Sequence, residues 1–180
     1  MFYNLTNNDN VWTFYTDSYA VGTTTAWQTW SKPIEFNNFM FMLSGGGGGG
    51  CAGQVSGSGA AAYGGGAGAG GTLTTAYIPS FLLPDILHIQ TGAGGAIGNV
   101  VGSGYAGQTT YISYYPNTLT GNVLLSATGG FGAITTAGGV VGTIYNPTQS
   151  IMMFSGASAT GAAGGAAGSN SGVSFISTAS

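Results

Sequence analysis

Blocks of bulky apolar residues and blocks with almost no side chains follow one another along this chain. Residues 39–43 read Phe-Met-Phe-Met-Leu; Ser44 follows, and then six consecutive glycines at 45–50. The succession returns three times: ILHIQ at 86–90, Thr91 and GAGGAIG at 92–98; NVLL at 122–125, Ser126 and ATGGFGA at 127–133; IMMF at 151–154, Ser155 and GASATGAAGGAAG at 156–168. Each unit is four or five mostly apolar residues, a Ser or Thr hinge, and a glycine-rich tract. The hinges are unequally spaced, which excludes a regular solenoid.

The apolar blocks read as strands. Phe39, Phe41 and Leu43 alternate with Met40 and Met42, a period of two. Both sets are apolar, so a strand over 34–43 is expected to be covered on both faces. Further strands are expected at 11–15, 19–21, 23–30, 72–77, 86–90, 109–115, 122–125, 140–145, 151–154 and 173–176, where β-branched and aromatic residues gather. Turns are expected at 7–10, 116–117 and 146–147. Between Pro79 and Pro84 there is room for one helical turn at most. No stretch carries a useful helical periodicity. The expected fold class is therefore all-β: small β-sandwich-like sheets with ordered glycine-rich, polyglycine-II-like segments, in an oligomer. Lys32-Pro33 divides an N-terminal aromatic β segment, residues 1–33, suited to assembly or attachment, from a glycine-rich β domain at 34–180.

Composition sharpens the reading of the tracts. Glycine makes up 36 of the 180 residues. Ordering glycine is entropically unfavourable, so an ordered tract must gain from close backbone approach. The tracts lack a strict Gly-x-y period and hold almost no proline, which excludes collagen. They hold more Ala than Ser and follow directly on buried-looking strands, which sets them apart from flexible linkers. Three arrangements stay open: extended threefold chains packed side by side through backbone hydrogen bonds, glycine-rich strands with bulges, and irregular loops. The first is favoured because lateral packing gives every amide a partner. On that reading Gly47 is interior.

Only 3% of residues are charged, with one basic residue, Lys32, and a formal net charge of −3. A single lysine cannot neutralise phosphates, which excludes nucleic acid as a partner. The chain is too apolar and too weakly charged for intrinsic disorder. Cys51 is the sole cysteine, so no internal disulfide forms, as in a protein made in a reducing compartment. The N-terminus shows no secretory signal, and no run of 18 apolar residues exists, so no membrane insertion is expected. A Gly-, Thr- and aromatic-rich chain made in a host cytoplasm and working on a virion surface satisfies all of this; an extracellular protein exported by another route is the alternative.

Candidate chemistry is sparse. Two matches to G-x-G-x-x-G, at Gly66-Gly68-Gly71 and Gly102-Gly104-Gly107, are expected by chance in a chain so rich in glycine, and neither opens a helix. His88 is the only histidine, and Asp85 is its only near carboxylate, so no metal site, cofactor or catalytic group is expected, and no enzyme. The aromatics carry more. Trp12, Trp27, Trp30, Phe39 and Phe41 are candidates for core or subunit contact. Tyr63, Tyr105, Tyr114 and Tyr115 lie in or beside glycine-rich stretches. Tyrosine among small polar residues is the composition of adaptable binding loops, which makes these four the candidate receptor contacts.

The segment from Trp27 to Gly53 reads W-Q-T-W-S-K-P, an apolar strand, then S-G-G-G-G-G-G. It resembles the glycine-rich domain of phage and prophage tail-fibre and receptor-binding (adhesin) proteins. The likeness continues in order through AGAGG at 67–71, LPD at 83–85 with ILHIQTGAGGAIG after it, and LLSATGGFG at 124–132, about 110 residues in all. The resemblance implies a virion structural protein, a surface fibre, spike or adhesin-like component with host-receptor binding. It also implies self-association, a trimer by analogy with fibrous viral proteins, together with other virion proteins as partners. The chain lacks the N-terminal helical attachment segment of those adhesins, so a capsid decoration, head fibre or vertex spike is equally compatible. A self-assembling extracellular filament or matrix protein is the alternative.

Overall fold

The computed structural model describes residues 11–16, 25–51, 65–98, 103–133 and the strand backbone at 153–157. The expected strands at 19–21, 140–145 and 173–176 and the turns at 7–10 and 146–147 lie outside these residues.

The fold is all-β, with no α-helix among the described residues. The strands are β1 (Gln28–Ser31), β2 (Asn38–Ser44), β3 (Leu73–Pro79), β4 (Ile86–Gln90), β5 (Thr110–Ser113), β6 (Val123–Ala127) and β7 (Met153–Ala157). They form two antiparallel sheets, one ordered β1-β4-β5-β6 and the other β2-β3-β7. A single 3₁₀ turn, Ser80–Leu82, occupies the short connection between Pro79 and Pro84.

One core lies between the sheets. Trp30 from β1, Phe39 and Leu43 from β2, Ile78 from β3, Leu87 from β4 and Leu125 from β6 are buried together. Trp30 packs edge-on against Phe39 at 5.2 Å and Phe41 at 5.9 Å between ring centroids. Such pairs add about 0.5–1.5 kcal/mol each beyond their burial. β1 lies on the N-terminal side of the boundary expected at 33/34, yet it pairs with β4, and Trp30 belongs to the common core.

Several expectations are corrected. Residues 11–15 form no strand. Trp12 instead rests edge-on against Trp30 and Phe36, both at 6.1 Å, so ring packing holds this segment without a ladder. The strand expected at 34–43 begins at Asn38, because residues 34–35 form a turn after Pro33. Only one of its faces is covered: Met40 and Met42 are 63% and 65% exposed. Across the ladder they face Tyr77 and Thr75, leaving a mainly apolar outer face on the smaller sheet.

Beyond one end of the sandwich the strands run on into the glycine tracts. The tracts span 45–51, 65–72, 91–98, 103–109 and 128–133 and are called first to fifth. Their hydrogen bonds recur every third residue. The N–H groups of Gly45, Gly48 and Cys51 donate to the carbonyls of Thr72, Ala69 and Gly66, and those of Gly46 and Gly49 to Gln108 and Tyr105. Gly95 and Gly98 donate to Gly47 and Gly50, while Gly130 and Ala133 donate to Gly46 and Gly49. The second tract bonds the fifth, the fifth the fourth, and the fourth the third in the same way. A three-residue period with no bond inside a tract is that of a polyproline-II-type chain. The first, third and fifth tracts run outward in parallel; the second and fourth return antiparallel to them.

Glycine is required where these chains touch. A Cβ on Gly46 would strike the carbonyl of Ala93, and one on Gly49 that of Ala96. Threonines seal the seam between sandwich and lattice. The Thr110 hydroxyl donates to the Ser44 carbonyl at 2.6 Å and accepts the Gly92 N–H at 2.9 Å. Thr72 and Thr74, both buried, donate to the carbonyls of Thr128 and Ser126.

Candidate receptor-contact surface

Along the flanks of the described lattice, bulky side chains interrupt the tracts and are exposed. Tyr105 on the fourth tract is 61% exposed; Ile97 on the third and Phe131 on the fifth are exposed as well. The Tyr105 N–H donates to the Ala96 carbonyl at 3.0 Å, which sets Tyr105 beside Ile97 on adjoining tracts. Phe131 is fixed through its backbone carbonyl, which accepts the Ala69 N–H at 2.9 Å. The Tyr105 carbonyl in turn accepts the Gly49 N–H, so this backbone is held from both sides while its side chain is exposed. Ile97 and Phe131 were not among the residues expected from the sequence, although the signal is there: a large apolar residue inside a glycine tract has no interior to enter.

The three candidate tyrosines among the described residues, Tyr105, Tyr114 and Tyr115, do not converge. Tyr63 lies outside the described residues. Tyr114 and Tyr115 sit in the connection after β5, at the pole opposite the lattice, roughly 30 Å along the molecule from Tyr105 by the rise of extended chain. Tyr114 packs against the core, and burial raises its phenol pKa above the usual value of 10.0. It is corrected from a contact residue to a structural one. Tyr115 is 61% exposed at that far pole.

Of the candidate core or assembly residues, Trp30 and Phe39 are buried, Phe41 packs half-buried against the core, Trp27 is half-buried and Trp12 is exposed at its outer edge. Gly47 is corrected: it is exposed, and among the described residues a Cβ there would meet only the Ala69 carbonyl oxygen, at 3.8 Å. The interior positions of the first tract are Gly45, Gly46 and Gly49.

The pole opposite the lattice gathers the charged residues that are described: Lys32, Glu35 and Asp85. The Lys32 ammonium donates to the carbonyls of Leu83 at 2.8 Å and Ser80 at 3.3 Å, and lies 3.2 Å from the exposed Asp85 carboxylate. The only basic residue thus closes the 3₁₀ turn and is not presented to a partner. His88 lies half-buried on β4, across the ladder from Thr29 and Ser113. Among the described residues no group of three His, Cys, Asp or Glu side chains could hold a metal ion, and no helix is long and apolar enough to cross a membrane.

No protein-family model matches the chain, and no curated protein matches it.

Proposed function

We propose that the chain is a virion structural protein, a surface fibre, spike or adhesin-like component that contacts a host receptor through exposed side chains of its glycine lattice. The observation that carries this reading is the division of labour at Tyr105. Its backbone is bonded into the lattice on two sides, and its side chain is exposed. A rigid support with few internal side chains, carrying exposed aromatic and aliphatic groups along its flanks, suits recognition at low ordering cost. The described part of the lattice is uncharged, which suits an uncharged receptor surface.

Self-association belongs to the same proposal. The outer face formed by Met40, Met42 and Tyr77 is the described surface most in need of cover, and a homo-oligomer would supply it. Imaging intact particles labelled on this chain tests the placement. Label at the particle surface is the expected result, and its absence from particles would favour the extracellular filament instead. The contact is tested by Tyr105→Ala with Ile97→Ser: host attachment is lost while thermal stability holds. Attachment at the parental level would remove these two side chains from the reading.

A further inference from the structure

Three connections lie at the pole opposite the lattice: residues 32–37 after β1, 80–85 after β3 and 114–122 after β5. β1, β3 and β5 run towards this pole, and β2, β4 and β6 run away from it. The first two connections are bonded to each other. The Lys32 N–H donates to the Asp85 carbonyl at 2.7 Å, and the Ser80 N–H to the Asn37 carbonyl at 2.8 Å. The Lys32 ammonium, bonded to the carbonyls of Ser80 and Leu83, grips the 3₁₀ turn on both sides of Phe81 and Leu82.

What this clamped turn displays is apolar. Phe81 is 84% exposed, and Ile34 on the first connection is 91% exposed. Leu82 is exposed beside Phe81, and Tyr115 and Leu119 on the third connection are exposed at the same pole. Single apolar residues scattered over a surface need no explanation, but several on one pole mark an interaction site. A large ring on a backbone already held in place has the form of an interface anchor, with little ordering cost left to meet on binding.

Charge says what kind of partner it fits. Glu35 is exposed, and the Asp85 side chain is 91% exposed, whereas that of Lys32 is only 13% exposed. One lysine against two carboxylates leaves one negative charge in excess at the pole. A second copy has nothing to set against it, because Lys32 is the only basic side chain in the whole sequence. Anionic lipid headgroups repel carboxylates placed among the side chains that would insert. We infer that this pole is a docking surface for a different protein, one that offers an apolar pocket to Phe81 and rims it with Lys or Arg. The surface is separate from the receptor contact on the lattice flanks and does not depend on it.

Two ions of one shape and opposite charge, tetraphenylphosphonium and tetraphenylborate, test the chemistry in NMR titrations of the full chain. The phosphonium is expected to shift the amide signals of 32–37 and 80–85 and to bind there about threefold more tightly than the borate. Glu35→Gln with Asp85→Asn shrinks that preference, and Phe81→Ser weakens both ions. No response at the pole, equal binding of the two ions, or a preference that survives loss of both carboxylates overturns the inference. The partner is tested by Phe81→benzoylphenylalanine, irradiated in the producing cells. Crosslinks are expected to a second protein, at a segment where Lys or Arg flanks apolar residues. Crosslinks only to this chain, only to lipid, or to a segment without basic residues overturn it.

Discussion

Gly49 and Tyr105 are joined backbone to backbone, the Gly49 N–H donating to the Tyr105 carbonyl at 2.8 Å, while the Tyr105 ring remains outside the lattice. One bond thus couples a residue chosen for having no side chain to one whose side chain is the exposed feature. Stability and recognition are separable here, because the lattice is built from main-chain groups and the surface from what projects beyond them. That separation makes the following outcomes distinguishable.

Gly49→Ala drives a Cβ into the Ala96 carbonyl, a backbone atom that cannot swing aside. The expected loss is about 3 kcal/mol or more, read by denaturant unfolding. Gly121→Ala is the contrasting case. Nothing lies within 4 Å of its Cβ position and its backbone is not left-handed, so stability rises by roughly 0.4–1 kcal/mol. Equal effects at the two positions would contradict the lattice.

Lys32→Met keeps the aliphatic stem and removes the ammonium that satisfies the Leu83 carbonyl, while the Ser80 carbonyl keeps the Leu83 N–H. Stability is expected to fall by about 1–3 kcal/mol, the range for leaving buried acceptors without a donor. Asp85→Asn removes an exposed partner and changes stability by less than about 1 kcal/mol. Thermal melts of the two variants side by side test whether carbonyl capping or the ion pair matters.

Tyr114 titrates with a sign that can be worked out. Burial raises its folded pKa above the unfolded value of 10.0, so the folded state holds the phenol proton more tightly. The contribution is fully present below about pH 10 and is lost as pH rises through the folded pKa. Tm therefore falls more steeply above pH 10 in the parental protein than in Tyr114→Phe, and parallel curves would show that burial of this phenol has no consequence. Tyr114→Ala loses about 1–2 kcal/mol through lost packing, and attachment per folded molecule is unchanged.

Met40→Lys with Met42→Lys places two charges on the outer face of the smaller sheet. Both positions are exposed, so the fold holds, with stability within about 0.5 kcal/mol. Under the proposed self-association the oligomer dissociates, which sedimentation would read. An unchanged assembly would move the subunit contact elsewhere.

The sequence was legible where local chemistry and neighbours agree. β4 falls on the block 86–90, bounded by Pro84-Asp85 before it and Thr91-Gly92 after it. The inward set Phe39, Phe41 and Leu43 follows from alternation alone. Residues 11–15 misled because aromatic residues have strand propensity, yet ring packing on Trp30 and Phe36 holds them without a ladder. Met40 and Met42 look like core by type, but nothing local tells an outer sheet face from an inner one. Tyr114 and Tyr115 are adjacent in sequence and separate in role, because a bend follows β5. Gly47 was the least legible of all. In a run of identical residues, only the placement of neighbouring tracts decides which position is inside.

The three-residue recurrence of the lattice bonds makes the scaffold a ruler with fixed divisions. Inserting three residues into each tract restores every partner relation and carries the tip about 9 Å farther out. Inserting one or two leaves the main-chain donors and acceptors in place but turns the side chains by a third of a turn or two, so that residues larger than glycine meet positions where a Cβ strikes a neighbouring carbonyl. Reach in such a molecule is therefore adjustable only in whole turns, while the exposed side chains of Tyr105, Ile97 and Phe131 can be exchanged without resetting the scale.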